Sequence, residues 1–218
     1  MKNKLYELYG LLLSHFGPQH WWPGETPFEI MVGAVLTQNT NWSNVSRAIE
    51  GLKKEKLLSF AALEAMPHPE LASRIQASGY FNLKAIRLKN LLSAICRDYE
   101  GDLDRLFDEE TGRLRRWLLT VKGIGPETAD SITLYAAGKP SFVVDAYTHR
   151  ILSRHGLVPE EATYQEMQEL FHDSLPPDVY IFNEYHALLV ALGKHFCKKK
   201  APLCPGCPAK QWTGFLIQ

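Results

Sequence analysis

The sequence has no apolar run long enough to span a bilayer, which argues against an integral membrane protein. Its start does not read as a secretion signal either. Met1-Lys2-Asn3-Lys4-Leu5 is followed by Tyr6, Glu7, Tyr9 and Gly10 rather than by a clean apolar stretch and a small-residue cleavage site, so cytoplasmic residence is the expectation. There is no excess of positive charge: 24 Lys and Arg balance 24 Asp and Glu. Any grip on a polyanion must therefore come from local groups, because charges are screened beyond about 10 Å at moderate salt. Cysteine is scarce too. In a reducing compartment the four cysteines do not suggest disulfides, and three of them crowd the C-terminus, a pattern that points to metal. No repeat or low-complexity tract is evident, and only Ser141-Phe142-Val143-Val144 reads as extended, too short to found a sheet.

What is present is helical periodicity. Leu5, Tyr9, Leu12 and Phe16 form one apolar stripe, and Phe28, Met31, Val32, Val35 and Leu36 another. Val45, Ile49 and Leu52 follow, then Leu88, Leu91, Leu92 and Ile95, then Leu114, Trp117 and Leu118. Near the end come Met167, Leu170 and Phe171, and after them Tyr185, Leu188, Leu189 and Leu192. Thr26-Pro27-Phe28-Glu29 and Thr163-Tyr164-Gln165-Glu166 both carry the reciprocal capping pattern of a helix start. The expectation is an all-α protein, and 218 residues suffice for two helical domains.

The most informative stretch is Val121-Lys122-Gly123-Ile124-Gly125-Pro126-Glu127-Thr128-Ala129. One helix ends, two glycines allow a tight reversal, and Pro126 opens the next helix, whose first amides are unpaired and lie at the positive end of its dipole. Such a turn can bind a phosphate without net charge on the protein, although a plain helical hairpin is the simpler reading. Downstream, Asp145 follows an apolar extended segment at the start of another helix. By itself an Asp there is an ordinary N-cap. The basic clusters Lys84, Arg87 and Lys89, Arg113, Arg115 and Arg116, and Lys198, Lys199 and Lys200 read singly as solvated faces or loops.

The Gly-Ile-Gly hairpin followed by Val144-Asp145 resembles the helix-hairpin-helix DNA glycosylase superfamily, of which endonuclease III is the familiar member. Leu36-Thr37-Gln38-Asn39-Thr40 is similar to that family's Leu-Ser-Ala-Gln-Ala-Thr segment, whose glutamine fills the gap left by a flipped base. Gly79-Tyr80-Phe81-Asn82-Leu83-Lys84-Ala85 resembles its Gly-x-Tyr-Asn-x-Lys-Ala loop, which wedges into the opposite strand. The resemblance implies a six-helix domain carrying the hairpin, over 21–135, and a second all-α domain from 1–20 and 136–218, with a damaged nucleotide entering a groove between them. It further implies double-stranded DNA as the partner, with a monomer expected. It assigns Gln38, Tyr80, Asn82, Leu83, Lys122, Gly123, Ile124, Gly125, Lys194 and Lys198 to DNA contact and Asp145 to catalysis.

The sequence departs from the bifunctional members at one position. They read Gly-Val-Gly-x-Lys-Thr-Ala, and the lysine amine attacks the sugar C1′ to form a Schiff base. Here Glu127 stands in that place, and a carboxylate cannot form an imine. A monofunctional glycosylase follows, in which water is the nucleophile, unless Lys122 or Lys194 takes the role. Asp145 would then stabilise the positive charge that builds on the sugar. Trp21, Trp22 and Pro23, together with Gln38 and Glu127, are the candidate base pocket. Paired tryptophans serve equally as core anchors, but an aromatic face attracts cations by about 0.5–2 kcal/mol and would favour purines made cationic by alkylation. These features resemble the 3-methyladenine glycosylases of the endonuclease III type. A glycosylase/lyase for oxidised or mismatched bases and a non-catalytic DNA-structure binder are the competing readings.

Cys197, Cys204 and Cys207 have the spacing of the first three ligands of that family's [4Fe–4S] loop, with Thr213 where the fourth would stand. A cluster short of one thiolate, a zinc site completed by His195, and no metal are all compatible with the sequence. Cys96 reads as a buried core residue.

Overall fold

Where a Ser, Thr, Asn, Asp or Glu precedes a periodic apolar stretch, a helix begins. The computed structural model describes residues 2–212. Among them it contains α-helices, short 3₁₀ and π turns and no strand, so the all-α expectation holds. The chain divides into two units, one formed by Pro23–Lys139 and the other by the two ends, Met1–Trp22 and Pro140–Gln218.

Within the first unit lie α2 (Pro27–Leu36), α3 (Trp42–Lys54), α4 (Phe60–Ala65), α5 (His68–Arg74), α6 (Phe81–Tyr99), α7 (Leu103–Asp108), α8 (Thr111–Thr120) and α9 (Pro126–Ser131), which runs on into a π-helical turn, Ile132–Ala136. Caps for α2, α3, α4, α7 and α8 come from Thr26, Asn41, Ser59, Asp102 and Glu110, whose side-chain oxygens accept backbone N–H bonds from the first turn. α2 is apolar on nearly every side because it packs against α3, α6, α9 and the π turn at once. The capping pattern at Thr26 is only half realised. Thr26 accepts from the Glu29 N–H, but the Glu29 carboxylate takes the Glu25 N–H and the Lys53 ammonium (2.9 Å) instead of closing the box.

Two further buried charges fix this unit. Arg115 of α8 makes a bidentate pair with the fully buried Asp130 of α9, at 2.7 and 3.0 Å, tying together the two helices of the hairpin. Arg115 is therefore no part of an open basic face. Lys84 of α6 is 1% exposed, and its ammonium donates to the carbonyls of Leu36 and Ser78, at 2.7 and 2.6 Å. It satisfies a carbonyl at the end of α2, one of the four a helix leaves open, and cannot reach a DNA phosphate from there. Burial, and after it the neighbouring Arg87 cation, lowers its pKa to about 8.

The second unit comprises α1 (Lys2–Phe16), α10 (Ala146–Arg154), α11 (Tyr164–Ser174) and α12 (Val179–His195), with a 3₁₀ turn at Cys204–Gly206. Its core gathers Leu5, Leu8 and Leu12 of α1 with Phe171, Phe182, Tyr185 and Leu189, and Phe142 stacks on Phe171 at 3.7 Å. Thr163 forms the full capping box with Glu166, as the sequence predicts. Two polar links join the chain ends: the Tyr185 hydroxyl donates to the Leu5 carbonyl and the Trp212 indole to that of Lys4, each at 2.9 Å.

Two outcomes are expected. Arg115→Leu leaves Asp130 buried without its cation and should cost about 3–5 kcal/mol in denaturant unfolding, whereas an unchanged midpoint would remove the pair from the fold's supports. For Lys84, the unfolded chain keeps its proton up to pH ~10.5 and the folded chain only to about 8. Between those values the unfolded state binds more protons, so stability rises with pH. Relative to Lys84→Met, the wild type should gain stability from pH 8 to 10, read by thermal unfolding, and parallel pH curves for the two would refute the assignment.

Candidate functional site

Asp145 stands where the extended segment Phe142–Val144 meets α10, and it is that helix's N-cap. Its Oδ1 accepts from the Thr148 N–H at 2.8 Å and from the Thr148 hydroxyl at 3.0 Å. Its Oδ2 lies 3.6 Å from His186 Nε2 of α12, and the two side chains are 14% and 7% exposed. Burial by itself would raise the carboxyl pKa, but the His186 imidazole and the two Thr148 bonds outweigh burial and hold it below the ordinary aspartate value. The result is an ionised carboxylate held in one rotamer, with one oxygen committed to the helix and the other beside an imidazole. The cap reading and the functional reading of Asp145 thus describe one geometry.

Around it, α10 and α12 approach closely because Gly193 has no side chain. A Cβ at that position would sit 2.2 Å from the Tyr147 ring, two residues after Asp145. The next residue, Lys194, is exposed and carries its ammonium 5.7 Å from the centre of the Trp21 ring. Trp21 and Trp22 are half-buried, their rings 5.7 Å apart in an edge-on arrangement, and Pro23 is exposed. Within this unit the structure brings together Asp145, His186, Tyr147, Gly193, Lys194 and Trp21.

The hairpin lies in the other unit. After Val121 the chain turns through Gly123 (φ +99), and Gly125 leads into Pro126 in extended conformation. Lys122, Gly123, Gly125 and Glu127 are exposed, whereas Ile124 is 5% exposed and belongs to the hydrophobic core. Ile124 was expected among the DNA contacts, but its side chain points inward, so only its backbone can face a ligand. Gln38 is half-buried in the turn after α2, and its Nε2 donates to the Gly123 carbonyl (3.2 Å) and the Thr128 hydroxyl (2.9 Å). At the start of α6, Tyr80 sits in the left-handed region and is 70% exposed, Leu83 is 45% exposed, and Asn82 is exposed with its carbonyl against His68. The protruding Tyr80-Asn82-Leu83 edge and the Gln38 turn share one scaffold, since Lys84 ties Leu36 to Ser78.

The cysteine loop does not assemble as a metal centre. Cys197 is buried, Cys207 half-buried and Cys204 exposed, and among the described residues no group of three or more His, Cys, Asp or Glu is placed to hold a metal ion. Arg154 donates to Cys197 Sγ at 3.4 Å and to the carbonyls of Lys198 and Lys199, and Arg150 donates to the Cys197 carbonyl at 2.8 Å. Burial pushes the Cys207 thiol up, and the nearby Cys197 and Cys204 add to this. Thr213 lies outside the described residues. The described loop brings no such set of ligands together, either for a four-thiolate cluster or for a zinc site with His195, whose ring lies 6.2 Å from that of Phe16. Lys198 is exposed on this loop, and Cys96, expected in the core, is only half-buried.

Sequence reasoning missed His186 and Arg87. The signal for His186 was present: a histidine one residue from the core stripe Tyr185, Leu188, Leu189 and Leu192 must be buried if its helix is, and a buried imidazole needs a polar neighbour. Arg87 resembled any cation on a surface helix, yet its guanidinium donates to Gln38 Oε1.

Comparison with known proteins places this geometry. Residues 32–177 match the family model described as the HhH-GPD superfamily base excision DNA repair protein. The chain is 48% identical over 210 residues to the Methanocaldococcus jannaschii protein named "Putative DNA repair glycosylase MJ1434", covering 95% of this chain and 94% of that one. It is 28% identical to endonuclease III of Thermotoga maritima, over 87% of this chain and 83% of the relative. Among solved structures, an endonuclease III bound non-covalently to DNA superposes with a TM-score of 0.84 at 22% identity, covering 98% of this chain and 95% of that one, a likeness of fold. The H. pylori 3-methyladenine DNA glycosylase MagIII, bound to 1,N6-ethenoadenine, gives 0.72 at 29% identity, covering 88% and 97%. With one family model matching more than half its length and a relative nearly half identical end to end, the chain belongs to the HhH-GPD superfamily of base excision DNA repair proteins.

Proposed function

We propose that this protein is a monofunctional DNA glycosylase that releases alkylated purines. The observation that carries the reading is Asp145: an ionised carboxylate, fixed at a helix start by Thr148 and His186, has the charge and rigidity needed to stabilise a cationic sugar. In the proposed reaction the C1′–N bond breaks heterolytically. Its electron pair goes to the purine and cancels the charge that alkylation placed there, while the sugar becomes oxocarbenium-like opposite Asp145. Water then bonds to C1′ and loses a proton to the carboxylate or to solvent, giving an abasic site and a free base. A base that is already cationic leaves without strong acid catalysis, so one carboxylate suffices. Glu127 at the hairpin supports hydrolysis over imine formation.

The remaining site residues take roles in the same reading. The backbone at Gly123 and Gly125, with Lys122, holds a phosphate, and Lys194 and Lys198 add backbone contacts. Gln38 fills the space of the extruded nucleotide, and Tyr80, Asn82 and Leu83 press on the opposite strand. Trp21 and Trp22, with Pro23, receive the cationic base on aromatic faces. The MagIII structure supports the choice of substrate, since that relative is a 3-methyladenine glycosylase and was solved with an adduct of adenine. No part of the chemistry passes through the cysteine loop.

The test is incubation with duplexes carrying 3-methyladenine, 7-methylguanine, an oxidised pyrimidine or a mismatch, scoring free base and strand scission separately. Methylated purines should be released, with scission only after alkali. Asp145→Asn keeps the cap and should lose about 10²–10³-fold in single-turnover release, the loss typical of removing one preorganised electrostatic group, while DNA affinity holds. Scission without alkali together with borohydride-trapped protein–DNA adducts would overturn the monofunctional reading, and full activity in Asp145→Asn would overturn the role of the carboxylate.

A further inference from the structure

Two segments distant from it in sequence converge on the Gln38 side chain. Arg87 of α6 donates through Nη1 to its Oε1, and its Nε2 donates to the Gly123 carbonyl and to the Thr128 hydroxyl. Thr128 is 6% exposed. The aliphatic stem of Arg87 crosses the bare Cα of Gly123: a Cβ there would lie 2.4 Å from Arg87 Cγ, and φ at Gly123 is +99. One arginine thus touches both the glutamine turn and the hairpin, with its charged end on the first and its methylenes on the second. The amide has one orientation that suits these neighbours, oxygen toward the guanidinium and nitrogen toward two acceptors. One turn earlier on α6, Lys84 holds the Leu36 carbonyl, so the same helix grips the end of α2 at two points.

We propose that Arg87 is a positioning residue: it locks the Gln38 side chain to the Gly123–Thr128 turn in the DNA-free protein, so that the glutamine and the hairpin meet DNA as one preformed unit. What they meet rests on the functional reading above, and the lock itself does not. A side chain already held in its bound rotamer loses less conformational freedom on binding, and a turn braced by the same contact cannot move independently of it. Because the lock uses a planar fork at one end and a stem of fixed length at the other, lysine is a poor replacement.

The experiment is a double-mutant cycle read on binding, with Arg87→Met, Arg87→Lys, Gln38→Ala and the Arg87→Met/Gln38→Ala double variant. The probe is a duplex bearing a tetrahydrofuran abasic analogue, which contains no base to release. Arg87→Met should weaken binding about 10-fold in the wild-type background and less than about 2-fold when Gln38 is already alanine, a coupling of ordinary size for residues in direct contact. Arg87→Lys, which keeps the charge, should behave like Arg87→Met. Where Arg87→Met does weaken binding, equal losses in both backgrounds, or wild-type binding by Arg87→Lys, would mean that Arg87 acts as a phosphate contact or a general prop and would overturn the proposal. The ¹⁵N signals of the Gln38 side-chain amide in DNA-free protein give an independent check. They should be dispersed in the wild type and collapse toward free-amide positions in Arg87→Met, and unchanged signals overturn the lock. If they collapse while no variant alters DNA binding, the lock stands and the assignment of Gln38 to DNA contact falls.

Discussion

A fold assembled from many short helices has many helix ends, and each end leaves backbone N–H or C=O groups that must find partners. That demand shapes most of this molecule. Five helices of the Pro23–Lys139 unit take their caps from side chains one residue upstream, Lys84 satisfies a carbonyl at the exit of α2, and Arg154 collects the carbonyls after α12. The same demand places the proposed chemistry. Asp145 is where it is because α10 needs an acceptor at its first turn, and against burial the His186 imidazole and the Thr148 bonds of that turn hold the carboxylate ionised. A residue fixed by a structural obligation is already oriented, which is what electrostatic stabilisation of a short-lived cation asks of it.

The balanced charge of the chain has a corresponding explanation in the coordinates. Several cations that looked like surface charge are turned inward: Lys84 to two carbonyls, Arg115 to Asp130, Arg87 to Gln38, and Arg150 and Arg154 to the loop after α12. They act as fasteners for turns. The groups left facing solvent near the hairpin are Lys122, Glu127 and the backbone of Gly123 and Gly125, a set with no net charge, so the proposed grip on phosphate depends on dipoles more than on net charge.

Much of this was legible beforehand. Apolar spacing gave the helices, Thr163-x-x-Glu166 gave a complete capping box, and Gly-Ile-Gly-Pro gave a hairpin turn with Gly123 in the left-handed region. Other features needed three dimensions. Whether Glu29 closes its own box or is drawn to Lys53 depends on where α3 packs, and nothing local in the sequence records that. The inward direction of Ile124 follows from the core it meets, and the pairing of Arg115 with Asp130 from the closeness of the two helices that the hairpin joins. Cysteine spacing suggests a metal centre because spacing is all a sequence can display, whereas ligation needs a full set of donors around one point, which the described residues do not supply. His186 escaped notice because apolar periodicity describes a stripe, while α12 is enclosed on more than one side.

The topology has a consequence during synthesis. One unit is a continuous stretch of chain, so all its helices are present once Lys139 has been made. The other needs segments far apart in sequence: α1 is made long before the Tyr185 and Trp212 that bond its backbone, which follow their partners by 180 and 208 residues. His186 lies beside Tyr185 on the same late helix, so the imidazole facing Asp145 is also a late arrival. The carboxylate proposed for bond cleavage thus acquires its charge-setting neighbour only once α12 has been made, and a nascent chain that stops short of that helix cannot possess the pair.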